Sequence, residues 1–198
     1  IEVDAEVADG DLEQLADLVE LEALTLPHAT VTDAGVKHLR RLTRLTRLDL
    51  GAAGITDAGL AALAGLKALR HLNLASTRLT GAAWGHLRAF PRLELLRLGA
   101  AGVGDQGVQA LQDLKGLRHV HLMDVRLTDQ GLRQFEGMPQ LESLYLDRVQ
   151  VTDAGLASLL KALPHLHIHL DQAHPARVQH GGDPRANEPA RRPIARPR

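Results

Sequence analysis

The sequence contains no cysteine. Disulfide frameworks, thiolate nucleophiles and cysteine-ligated zinc are therefore excluded. Large rings are nearly missing too, with one Trp, one Tyr and two Phe in 198 residues. A core with so few rings must be filled by Leu, Val, Ile and Ala, which suits many thin, similar layers better than one thick irregular one. There is no strong charge of either sign. A formal net charge of −1 gives the whole chain no electrostatic address for nucleic acid or a membrane surface. No apolar run approaches the roughly 20 residues that span a bilayer, so membrane insertion is not expected. No secretory signal opens the sequence. The chain begins at Ile1 rather than Met, which leaves its compartment undefined and admits an upstream segment.

What the sequence does have is repetition. Val31-Thr32-Asp33-Ala34-Gly35-Val36 returns as Ile55-Thr56-Asp57-Ala58-Gly59-Leu60, then as Leu79-Thr80-Gly81-Ala82-Ala83-Trp84. It continues as Val103-Gly104-Asp105-Gln106-Gly107-Val108, Leu127-Thr128-Asp129-Gln130-Gly131-Leu132 and Val151-Thr152-Asp153-Ala154-Gly155-Leu156. The step from Val31 to Ile55 to Leu79 and onward is always 24 residues. Upstream of each copy runs a second pattern, as in Leu45, Leu48, Leu50, Ala53, Ile55 and again in Leu141, Leu144, Leu146, Val149, Val151. Alternating Leu residues bury one face of a short strand. Thr32, Thr56, Thr128 and Thr152 are N-cap candidates, and the Asp after each suits the positive end of a helix dipole. Gly35 and its equivalents let the helix backbone lie close to its neighbour. Leu60, Leu63 and Leu66 then supply one apolar residue per turn. Such a unit hides its apolar stripe only by stacking, and parallel strands need a crossover that a short helix can supply.

These motifs resemble the leucine-rich repeat family over about residues 21–170. The Thr-Asp-x-Gly-Leu half is similar to the variant in F-box-type receptors and in many bacterial repeat proteins. The resemblance implies an α/β leucine-rich repeat solenoid, a right-handed arc with a parallel sheet on its concave face and short helices on its convex face. One position departs from the family pattern. Ala29, Ala53, Thr77, Ala101, Val125 and Val149 stand where Asn or Cys is usual, so a buried Asn ladder is not expected. The third copy is irregular in its Gly81, Ala83 and Trp84, and the Trp ring is expected to repack against a small neighbour.

Residues 1–20 read as a degraded half-repeat or cap, since Val7 to Leu12 lies one repeat before Val31 and Leu12, Leu15 and Leu18 make a stripe. Residues 21–170 hold six repeats and a final strand around His167 to Leu170. Residues 171–198 lose the apolar pattern. They carry six arginines against Asp171, Asp183 and Glu188, with five prolines, and read as a disordered basic tail. That tail is the one candidate for nucleic acid, and without aromatics to stack on bases an inert extension is the plainer reading.

Function is expected on the outward strand positions. Across the repeats they include Arg47, His71, His119 and His167 in a first column. Asp49, Asn73, Arg97, His121, Tyr145 and His169 form a second, and Met123, Asp147 and Asp171 belong to a third. They vary while the Leu framework does not, and Tyr and Arg are common binding anchors. The resemblance implies a non-enzymatic protein–protein interaction module without a cofactor, its partner docking on the C-terminal half of the concave face. His167 and His169 with Asp171 also outline a transition-metal half-site, against the plainer reading of a polar edge strand. The histidines admit a pH-dependent contact as well. The module could equally be the recognition domain of a larger protein. Catalysis finds little support. Gly102 and Gly104 make no phosphate loop, Ser76, Ser143 and Ser158 lack a nucleophile-elbow context, and an Asp repeated in register as Asp33, Asp57, Asp105, Asp129 and Asp153 marks a helix start rather than a reaction centre.

Overall fold

The computed structural model describes residues 1–3, 6–51 and 53–170. The tail expected over 171–198, and Asp171 with it, lies outside the described residues. Seven short strands form one parallel sheet in chain order: β1 (Ala23–Thr25), β2 (Arg47–Asp49), β3 (His71–Leu74), β4 (Leu95–Gly99), β5 (His119–Met123), β6 (Ser143–Asp147) and β7 (His167–Leu170). Between them run α2 (Asp33–Val36), α3 (Asp57–Ala62), α4 (Ala83–Leu87), α5 (Val108–Leu111), α6 (Asp129–Gln134) and α7 (Asp153–Ala162), with α1 (Asp9–Leu15) ahead of β1. The register follows the sequence repeat without slip: Leu48 pairs with Leu72, Leu72 with Leu96 and Leu96 with Val120.

Alternation along each strand puts the Leu residues on the helix side. Leu48, Leu50, Leu72, Leu74, Leu96 and Leu98 are fully buried there. Each buried Leu contributes roughly 1.5–3 kcal/mol. The helices return Leu60, Leu63, Leu66, Leu87 and Phe90 to the same core. At the start of the array Val3 N donates to Thr25 O, and Thr25 N to Ile1 O, so residues 1–3 extend the edge of β1. The stripe expected through Leu12, Leu15 and Leu18 is cut short. Helix α1 ends at Leu15, and Leu18 is 43% exposed beyond it.

The Thr and Asp of the repeat do more than begin a helix. Thr32, Thr56 and Thr128 accept from the backbone N–H two residues on, and Thr152 from that of Gly155, as N-caps do. Each Asp then reaches across to the next repeat. Asp33 takes two hydrogen bonds from Thr56, one from its backbone N at 2.8 Å and one from its hydroxyl at 2.5 Å. Asp9 brackets Thr32 in the same way, Asp57 brackets Thr80, Asp105 brackets Thr128 and Asp129 brackets Thr152. A line of carboxylates therefore ties the start of each helix to the start of the next. It also explains Gly35, Gly59, Gly131 and Gly155, each of which lies under the Asp of the preceding unit. A Cβ on Gly59 would stand 2.2 Å from Oδ1 of Asp33, and one on Gly131 would stand 2.2 Å from Oδ1 of Asp105.

The line is broken at one junction, where both partners are absent: Gly81 stands in the Asp place and Gly104 in the Thr place. Trp84 fills the space instead. Its ring is 2% exposed and lies over Gly107, where a Cβ would meet Cδ1 at 1.4 Å. The indole N–H is buried there without a hydrogen-bond partner among the described residues. A groove of about 530 Å³ opens on the helix side beside Trp84, Gly81 and Gly104.

The same repeat carries a correction. Ala101, expected inside, is exposed, and Ala100 is buried in its stead at 4% exposure. The equivalent positions Ser76, Asp124 and Arg148 adopt left-handed backbone with φ of 59, 54 and 54°. Ala100 does not. The Gly99-Ala100-Ala101-Gly102 run instead lies close against the third repeat. A Cβ on Gly99 would be 2.9 Å from Ser76 N, and one on Gly102 would be 2.7 Å from Leu79 O.

The bracket gives stability a pH dependence. The Thr152 hydroxyl and then its backbone N–H hold Asp129 below the 3.8 usual for an aspartate, and Thr32 does the same to Asp9. A carboxyl with a depressed folded pKa stabilises the fold above its unfolded value, and that stability is lost as pH falls through the folded value. The melting temperature of the protein should therefore hold from neutral pH down to about pH 4 and decline below it. Asp129→Asn should melt lower at neutral pH and show a shallower acid decline, measured by circular dichroism across the range.

Candidate functional site

The sheet face turned away from the helices carries the outward strand positions. Arg47 and His167 are exposed there, while Asp49, His71, Asn73, Arg97, His119, Tyr145 and His169 are half-buried. His121, Met123 and Asp147 correct the expectation that all candidates stand on show. They are only 6%, 8% and 1% exposed. Strands about 4.8 Å apart put successive residues of a column in contact. A residue flanked by long side chains, as His121 is by Arg97 and Tyr145, is covered by them.

The second column holds two runs of contacts, Asp49 with Asn73 and Arg97 through His169. Asn73 Nδ2 donates to Asp49 Oδ1 at 2.9 Å, and Gly51 N donates to the same oxygen at 3.0 Å. Asn73 Oδ1 in turn accepts from Ala75 N. On the next two strands Arg97 Nε donates to His121 Nδ1 at 3.3 Å. That makes Nδ1 an acceptor and places the ring proton on Nε2, which stands 2.8 Å from Asp147 Oδ2 and donates to it. The far side of His121 faces Tyr145, ring centres 5.4 Å apart and tilted by 43°. Tyr145 stacks on His169 at 4.2 Å with the planes 6° apart. A hydrogen-bonded cation and a row of three rings, two of them stacked, therefore share the C-terminal half of the face.

Electrostatics differ along the row. Burial lowers the Arg97 pKa, while Asp49, Asp147 and Tyr145 act in the opposite sense. Arginine remains charged throughout. Burial, and then the neighbouring Arg47 cation, also lower His71 from the usual histidine value. Before the strands a line of alternating charge runs Arg70, Glu94, Arg118, Glu142, in which Arg70 pairs with Glu94 and Arg118 with Glu142 at 2.8 Å. His119 Nε2 lies 4.0 Å from Glu142 Oε2. These exposed pairs contribute about 0–1 kcal/mol each.

The metal candidates behave differently from one another. His167 and His169 share β7, but the His169 ring is stacked on Tyr145. Among the described residues no three His, Asp or Glu side chains form a group that could hold a metal ion. The His121–Asp147 contact was missed from sequence because it crosses from one column to the next. Its signal was present, since the two are separated by one repeat plus two residues, a diagonal neighbour across two strands.

This pair gives a stability prediction. Asp147→Ala removes the acceptor of a buried imidazole N–H and should cost about 2–3 kcal/mol in urea unfolding. Asp124→Ala, which breaks the exposed bidentate contact with Arg148, should cost under about 1 kcal/mol. Equal costs would show that the buried contact has no special weight.

Comparison with known proteins agrees with this architecture. The leucine rich repeat family model matches residues 43–100. No curated protein matches the chain. Among solved structures, an internalin from Listeria monocytogenes aligns at 25% identity and a TM-score of 0.62, covering 81% of this chain and 48% of that one. Internalin C2 of the same organism aligns at 21% identity and 0.61, covering 84% and 70%. A leucine-rich repeat protein of Leptospira interrogans aligns at 21% and 0.61, covering 78% and 38%. The chain thus spans about half the length of the first of these internalins. Leucine-rich repeat domains are in general protein-binding modules and typically lack catalytic activity. No helix among the described residues is long and apolar enough to cross a membrane. The unbroken 24-residue register, the seven-stranded parallel sheet and these matches together give the chain the leucine-rich repeat fold.

Proposed function

We propose that the chain is a non-enzymatic recognition module that binds a protein partner on the C-terminal half of its sheet face. The observation that carries this reading is the connected row Arg97–His121–Tyr145–His169. Its side chains are held by one another before any partner arrives, which lowers the ordering cost of binding. Arg and Tyr are the residue types that most often anchor interfaces, and both stand half-exposed here. Arg47, His71, His119 and His167 surround them with further polar groups. Asp49 and Asn73 extend the row toward the N-terminus, while His121, Met123 and Asp147 act from beneath as support. In a longer protein this module would supply recognition and leave other activities to other domains.

The test is affinity capture from a lysate of the source organism with three baits. These are the wild type, Tyr145→Ala/Arg97→Ala on the sheet face, and Lys115→Ala/Arg133→Ala on the helix side. Wild type and the helix-side variant should retain the same proteins, and the sheet-face variant should lose them by at least about tenfold. Capture of one set by all three baits, or loss only with the helix-side variant, would contradict the reading. Circular dichroism melts confirm that each bait is folded.

A further inference from the structure

Arg97 carries an unmet demand. Its guanidinium is half-buried, and burial is the largest influence on its pKa, so it has given up part of its hydration. Among the described residues its one hydrogen bond runs from Nε to the uncharged Nδ1 of His121. The two aspartates that favour its charge from a distance are held elsewhere. Asp49 accepts from Asn73 and Gly51, and Asp147 from His121. A cation withdrawn from water without a direct carboxylate is under-compensated.

The geometry around it indicates what would compensate. The contact through Nε fixes one edge of the guanidinium plane, and Asp147 fixes His121 in turn. The Nη1 and Nη2 atoms are left for a two-point, end-on contact, which matches the fork of a carboxylate. Arg47, exposed on β2, adds a second cation about 10 Å away, two strands along. On the other side, ring edges carry the positive end of the aromatic quadrupole, and the Tyr145–His169 stack lines up two such edges.

We propose that the sheet face takes an acidic segment of its protein partner, one carboxylate of which sits end-on against the Nη atoms of Arg97. The proposal rests on the recognition reading above and adds the chemistry of the partner. His121 and Asp147 become positioning residues that hold the guanidinium, and Arg47 supplies longer-range attraction along the same segment.

The experiment uses the full chain and a short fluorescent poly-L-glutamate peptide, with poly-L-lysine of equal length as the opposite charge. Four proteins are titrated by anisotropy at low salt: wild type, Arg97→Gln, Arg97→Lys, and Arg191→Gln/Arg192→Gln in the basic C-terminal segment. Wild type should bind poly-glutamate and not poly-lysine. Arg97→Gln should weaken binding by at least about tenfold, with Arg97→Lys between the two. The C-terminal variant should keep most of the affinity. The proposal is overturned if poly-glutamate is not bound, if poly-lysine binds as well, or if affinity follows Arg191 and Arg192 and ignores Arg97. The two readings fail separately. A captured partner that depends on Tyr145 alongside poly-glutamate binding indifferent to Arg97 removes the acidic chemistry and leaves the face. Arg97-dependent poly-glutamate binding without any partner that depends on the face does the reverse.

Discussion

A single repeat of this chain has a buried face that it cannot cover by itself. Everything else in the structure follows from covering it with an almost identical neighbour. Leu48, Leu72 and Leu96 are buried because each layer lies against the next at a fixed offset. Apolar stacking alone is non-directional. The carboxylate bracket supplies direction. Asp33 can satisfy both the backbone N–H and the hydroxyl of Thr56 only when the two repeats are in one relative position. Gly59 is required under that carboxylate because any side chain there would occupy the same space.

The constraint carries over to the opposite side of the sheet. Because the register never slips, residues 24 apart in sequence become neighbours in space. A column of otherwise unrelated side chains is thereby turned into a row of contacts. Asp49 meets Asn73, Arg97 meets His121, and Tyr145 meets His169. The framework thus fixes where the variable residues stand and leaves their chemistry open to change. The same separation holds at the broken junction. Gly81 and Gly104 give up both halves of one bracket, and Trp84 takes over the packing there without disturbing the pairing of β3 with β4.

Much of this was legible in the residues, and the exceptions share a cause. The strand positions, the Thr caps and the seventh strand follow from local patterns, which are written in consecutive residues. The dipole role assigned to Asp33 was also local, and it missed a bond to a residue 23 positions away. Trp84 was readable because a large ring among small residues has few places to go. Ala101 was misplaced because the run from Gly99 to Gly102 has too little side-chain bulk to choose between two paths, and contact with the preceding repeat decides. Asp147 was expected on display as an outward residue of β6, yet its neighbour His121 covers it. Burial on a crowded sheet face depends on the sizes of neighbours two columns wide, which alternation alone does not encode.

The claim on which the account turns is that the Asp–Thr bracket couples adjacent repeats. The most direct measurement is a double-mutant cycle on Asp33 and Thr56, with Asp33→Ala, Thr56→Val and the double variant compared by urea unfolding. The account predicts a coupling energy of about 1 kcal/mol or more between the two positions, and near-zero coupling for Asp33→Ala combined with Thr152→Val five repeats away. Additive effects of Asp33→Ala and Thr56→Val would contradict it, and would leave apolar stacking alone to set the register.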